Sequence, residues 1–191
     1  MEELTNNILI FIQNSGLLGV ILSCFILSIE SIIPIIPLLV FISINFIILG
    51  PVLGFILSWI FTVLGSLLSY YLFRKKLSKK FINYTKDNET VEKYIKILRN
   101  ISTGKMLLIV ALPFTPAFAV NIAAGILKID FKKYLTAILF GKISLVIYSA
   151  YIGTSFVEGL SNPIILLNLV ILIFIIYILF LIIKKLLKLN L

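Results

Sequence analysis

The sequence predicts an all-α integral membrane protein: about four transmembrane helices plus two Pro-containing re-entrant hairpins in an inverted repeat, forming one domain over residues 1–191. Three observations predict it. The chain is 61% hydrophobic with a mean hydropathy of +1.17, well above a soluble domain, so the bilayer is the solvent to reason with. Two apolar stretches share one order of residues, Pro34-Ile-Ile-Pro37 followed by Asn45 and Gly50, and Pro113-Phe-Thr-Pro116 followed by Asn121 and Gly125. Proline removes a backbone donor and clashes with the preceding turn, so neither stretch suits a straight span. Paired interrupted segments in corresponding halves point to an internal repeat around a binding site. Finally, the Lys and Arg residues cluster beside apolar runs, and their placement fixes how often the chain crosses.

A full span needs about 20 apolar residues at ~1.5 Å rise each. Residues Ile8–Ile29 are long enough to reach across, with Gln13, Asn14, Ser15 and Gly16 as the place where the run could divide into an interfacial turn and a span; the N-terminal Met-Glu-Glu-Leu lacks the basic region and cleavage site of a signal peptide, so the run is expected to stay. Glu30 follows, then the first PxxP segment, Ile32–Leu49, read as re-entrant. Gly50-Pro51 punctuates the chain, and Val52–Phe73 is a span that completes a first repeat over 30–73. Residues 74–105 form the main polar loop, with ten Lys or Arg residues against Asp87, Glu89 and Glu92. Within it Val91, Tyr94, Ile95 and Leu98 fall at helical spacing, with Asn88 as a cap, which predicts an amphipathic helix.

The second repeat, 106–156, holds the second PxxP segment, the cluster Lys128, Lys132 and Lys133, and the span Tyr134–Phe156. The last span is 164–183, followed by Lys184, Lys185 and Lys188. If the segment around Pro113 dips and returns, all three basic clusters lie on one side; if it crosses, two of them change sides. The re-entrant reading wins on charge, and the loop and C-terminus are expected in the cytoplasm. The first PxxP segment then enters from the opposite side.

The net charge of +9 is explained by this topology and calls for no nucleic acid. No His is present, and the one Cys, Cys24, lies in an apolar run, so no disulfide, metal site or cofactor is expected. No nucleophile has a neighbouring base, and no Gly-rich loop cradles a phosphate, so the chain does not read as an enzyme. Lys142 stands about 12 Å into its span at ~1.5 Å per residue, where a charge costs on the order of 2.5–3.5 kcal/mol and should face protein or a wet cavity. Lys142 is the leading site residue. Glu30 is placed to pair with it, to bind a coupling proton or cation, or to cap the first re-entrant helix. Asn45 and Asn121 either satisfy backbone freed by the prolines or bind a headgroup where the hairpin tips meet. Tyr70, Tyr71, Tyr148 and Tyr151 sit near span ends, as aromatic belts do.

The stretch from Glu30 to Phe156 resembles the DedA superfamily of membrane proteins, also called SNARE-associated or VTT-domain proteins. Glu30 with Pro34-x-x-Pro37 looks like its acidic residue before a re-entrant loop. Gly50-x-x-x-Gly54, and Gly65 with Tyr70 and Arg74, look like its following span. Pro113-x-x-Pro116 with Asn121, Gly125 and Phe131 is similar to the second loop of its TVP-type branch. Many members carry an Arg at that second motif, where this chain has Val110, Ala111 and Ala117, which shifts weight to Lys142 and Arg74.

The resemblance implies a bacterial inner-membrane lipid transporter, a flippase or scramblase, moving an anionic lipid such as polyprenyl phosphate or a phospholipid. Lys142, Asn45, Asn121, Pro113, Pro116 and Arg74 would line the substrate path, with Glu30 coupling an ion. The rival readings are a secondary transporter of a small ion or solute, and a non-transporting membrane partner that docks through the amphipathic helix. The sequence is compatible with a homo-oligomer.

Overall fold

In the computed structural model, the structure describes residues 18–32, 38–75, 89–99, 101–112 and 115–186. They form α1 (Leu18–Glu30), α2 (Leu38–Lys75), α3 (Glu89–Leu98), α4 (Thr103–Ala111), α5 (Ala117–Ile126), α6 (Phe131–Gly159) and α7 (Pro163–Leu186). No strand occurs among the described residues. Segments Leu38–Lys75, Phe131–Gly159 and Pro163–Ile182 are long and apolar enough to cross a membrane, and α1 and α5 are shorter apolar helices.

Helix α2 is two limbs joined by a reversal. Gly50 holds φ 74° and ψ 176°, a conformation that a side chain resists, and Pro51 then sits at the first position of the next limb, where its missing N–H costs nothing. The limbs fold back on each other, so that the Asn45 amide donates to Ser58 Oγ across the bend at 3.1 Å. Gly54 permits the approach, since a Cβ there would lie 2.8 Å from the Asn45 carbonyl oxygen. The crossing limb is therefore 51–75.

On its other side the limb 38–49 runs antiparallel to α1. The Ser23 hydroxyl donates to Asn45 Oδ1, while at the opposite ends Glu30 and Leu38 meet at one cavity. The first re-entrant hairpin is thus α1 plus 38–49, and residues 33–37, Pro34 and Pro37 among them, lie outside the described residues. The described part of the Ile8–Ile29 run packs as a partner of the limb 38–49, while residues 8–17 lie outside the described residues. An apolar run long enough to cross can equally serve as one limb, and only the packing partner decides. Ser28 of α1 lies against the Gly65 backbone, a contact that any side chain at 65 would block.

The second hairpin is inverted. The Ile101 carbonyl, just before α4, accepts from Lys133 Nζ at the start of α6, and Val110 at the far end of α4 rests on Gly141. Helix α4 thus climbs beside α6, stops at Leu112, and α5 descends again. Gly125 then reaches the level of Tyr70 and Phe73, and the Ile129 carbonyl accepts from Arg74 at 2.9 Å. With 9 and 10 residues, α4 and α5 are each about 14–15 Å long at ~1.5 Å per residue, half of a ~30 Å hydrocarbon core. Arg74, Ile101, Ile129 and Lys133 consequently share one end of the bundle.

Helix α6 starts at this basic end, capped by the Asp130 carboxylate, which accepts from the Lys133 backbone N–H at 3.0 Å. It is the scaffold helix, touching α2, α4 and α7. The amphipathic helix appears as α3, with Asn88 outside the described residues; Tyr94 and Leu98 are buried in the core beside α5, so its apolar face is already covered. Tyr70 and Tyr148 also depart from the aromatic-belt reading. Tyr70 is fully buried and stacked on Tyr134 with ring centroids 4.4 Å apart, and Tyr148 faces a cavity, whereas Tyr71 and Tyr151 are exposed.

Candidate functional site

The two tips meet in the interior of the bundle. Asn121 of α5 donates to the Ser31 carbonyl at the end of α1 at 3.2 Å, a direct bond between opposed hairpins. Beside this junction lies a cavity of about 460 Å³, within the range of roughly 300–1,000 Å³ typical of small-molecule sites. The first hairpin contributes Glu30, Leu38 and Leu39, the second Thr115, Pro116 and Phe118. Helix α6 adds Tyr148 and Ser149, and α7 closes the outer wall with Ile173 and Ile176. The wall is mainly apolar with a few convergent oxygen atoms.

The charges at this place are unresolved in the chemical sense. Glu30 Oε2 and Lys142 Nζ are buried with no hydrogen-bond partner, and Lys142 is fully shielded from solvent. The two side chains attract one another electrostatically, yet among the described residues no ion pair joins them. A buried charge without hydrogen bonds is costly and is tolerated where a ligand or an ion completes its shell. Glu30 faces the cavity; Lys142 stands next to Glu30 and is not part of the cavity wall.

Asn45 and Asn121 behave in the opposite manner. The Asn121 amide nitrogen donates to Ser31 O and to Ser66 Oγ, each at 3.2 Å, and its oxygen lies 2.9 Å from the Tyr134 hydroxyl. Asn45 donates to Ser58 Oγ and weakly to Cys24 Sγ, and accepts from Ser23. Both amides are fully buried, and neither reaches the cavity. Of the two readings of these asparagines, the bonds seen are those of the structural one: each amide ties its hairpin to the limb 51–75, through Ser58 and Ser66. Arg74 is likewise removed from the site. It sits at the basic end over the Tyr70 ring, 5.4 Å from its centroid, and bonds the Tyr70 hydroxyl and the Ile129 carbonyl. Pro116 lines the cavity and begins α5, whereas Pro113 lies outside the described residues.

Sequence reasoning missed Thr115, Tyr148 and Ser149. A usable signal was present for one of them, because Ser149 follows Lys142 by two helical turns and so shares its face of α6.

Comparison with known proteins adds an independent line. The family model described as the VTT domain matches residues 33–155. An uncharacterized membrane protein, YhjE of Bacillus subtilis (strain 168), is 29% identical over 152 residues, covering 80% of this chain and 73% of that protein. No solved structure matches the chain.

Proposed function

This chain belongs to the VTT-domain family, and on that premise we propose that it is a lipid transporter, moving an anionic lipid headgroup between leaflets while the acyl chains stay in the bilayer. The observation that carries the reading is the cavity between the two opposed hairpins with the Glu30 carboxylate in its wall, together with the buried Lys142, which lies outside the wall and interacts electrostatically with Glu30. Neutralising Glu30, by a proton or a bound cation, removes the counter-charge of Lys142 and frees the ammonium for a phosphate. Thr115, Tyr148 and Ser149 supply hydroxyls around it. Rocking of one hairpin against the other would open the cavity to each leaflet in turn, and no covalent chemistry is required. The basic end is assigned to the cytoplasm of a bacterial inner membrane by the positive-inside rule.

A second reading, secondary transport of a small cation or solute, is favoured by one observation: the cavity wall holds the Glu30 carboxylate and no Lys or Arg. The docking-partner reading loses ground, because the apolar face of α3 is covered by α5.

The test is leaflet exchange of a labelled polyprenyl phosphate and of labelled phospholipids in proteoliposomes, with and without a proton or sodium gradient. Wild-type protein is expected to accelerate exchange, and Lys142→Ala and Glu30→Gln to lose it with folding intact. Absence of exchange in wild type, together with thermal stabilisation by a small cation or solute, would transfer the assignment to the second reading.

A further inference from the structure

Helix α7 is the most exposed element of the bundle. It touches α6 through one face, where Leu169 is buried, and the rest of its surface is turned outward. Among the described side chains of that surface, the polar groups are the Asn168 amide and the Tyr177 hydroxyl, and the rest are apolar. Asn168 is exposed, five residues into a segment that spans Pro163–Ile182, and it makes no hydrogen bond to the described residues. At ~1.5 Å per residue the amide lies about 7.5 Å below the start of a helix that is itself just long enough for a ~30 Å hydrocarbon core. Burying an amide in hydrocarbon without a partner is unfavourable by roughly 2–7 kcal/mol, depending on the reference state.

The residues around Asn168 are not arranged at random. Ile164, Asn168, Ile171, Ile175, Ile178 and Ile182 recur at alternating intervals of four and three, the seam of a heptad repeat, and all six are exposed. At about 100° per residue this seam lies roughly opposite the face formed by Leu169, Ile173 and Ile176, which turns to α6 and the cavity. Isoleucine at both seam positions would by itself favour three or four strands; the single Asn at an a position is the device that specifies register and strand number, at a cost in stability.

We propose that α7 is a self-association helix, pairing two copies of this chain in parallel through that seam, with the Asn168 amides hydrogen-bonded to one another across a two-fold axis. The occupant is a second copy for a symmetry reason. An amide carries both a donor and an acceptor, so it complements itself, and two copies inserted with the same orientation bring Asn168 to the same depth. A lipid tail offers the amide nothing, and an unrelated helix would need its own polar group at that depth. The pairing leaves Ile173 and Ile176 on the cavity side, so it is independent of whether the cavity carries lipid.

The test uses the full chain in vesicles at low protein-to-lipid ratio, with Cys24, which is buried, retained as an internal control. Under mild oxidation Ile175→Cys is expected to give a disulfide-linked dimer, and Val170→Cys, exposed but off the seam, is expected to stay monomeric. Adding Asn168→Leu to Ile175→Cys should lower the dimer yield about three-fold, the effect of a typical interhelical hydrogen bond in a membrane, while Asn168→Gln should retain it. Equal crosslinking at both positions, a yield unaffected by Asn168→Leu in protein of wild-type melting temperature, or single-step photobleaching of labelled wild type would each overturn the proposal.

Discussion

Two polar clusters lie close together inside the bundle and follow opposite rules. Around Asn121 every polar atom is used: the amide serves Ser31, Ser66 and Tyr134, and the Tyr134 hydroxyl also lies 2.9 Å from the Ser66 carbonyl. Around Lys142 and Glu30 an ammonium nitrogen and a carboxylate oxygen have no hydrogen-bond partner among the described residues. Asn121 and Lys142 are both fully buried, so burial alone does not separate these two side chains. The difference in hydrogen bonding does. A satisfied cluster holds the fold, whereas an unsatisfied one stores an unfavourable interaction that a ligand can relieve.

The sharpest way to break this comparison is to remove the Asn121 amide. Asn121→Ala removes three bonds, to the Ser31 carbonyl, the Ser66 hydroxyl and the Tyr134 hydroxyl, at about 0.6 kcal/mol for each bond lost in a membrane and roughly 2 kcal/mol together. Thermal unfolding in lipid should report that loss; a melting temperature equal to wild type would mean the knot is ornamental. The double variant Glu30→Gln, Lys142→Met should do the reverse. It should melt at or above wild type, because replacing a buried charge pair by well-packed neutral groups is often neutral or stabilising, while lipid exchange falls at least about ten-fold. A clear drop in its stability would show that the pair is structural after all.

Asn45→Ala should destabilise by about 1 kcal/mol, less than the Asn121 change, since Ser23 keeps a second acceptor in the Val20 carbonyl at 2.9 Å. The smallest effect is expected from Arg74→Lys, under about 1 kcal/mol. A lysine retains one bond to the Ile129 carbonyl but gives up the planar contact with Tyr70, so exchange should be unchanged. Loss of exchange with normal melting would return Arg74 to the substrate path.

Corresponding residues in the two hairpins show how much could be read from the chain. The PxxP segments, the following asparagines and the glycines were visible as a repeat, because a bilayer punishes broken helices and unpaired amides and so leaves few interpretations of such residues. Lys142 was legible for the same reason. Thr115 and Tyr148 were not, because a hydroxyl or a phenol is common in membrane helices and carries no cost that would flag it.

The sequence by itself determined that this is a membrane protein, that its second interrupted segment returns to the side it came from, and that Lys142 must have a special environment. Hydropathy, proline chemistry and the distribution of basic residues are local quantities, so no partner is needed to read them. Only the tertiary structure decided that the first hairpin uses α1 as a limb, and that Asn45 and Asn121 bond to Ser58 and Ser66 rather than to a ligand. It also decided that Arg74 sits far from the cavity and that Glu30 and Lys142 remain unpaired. Each of these depends on which distant residue arrives at hydrogen-bonding distance, and that is set by how the helices pack.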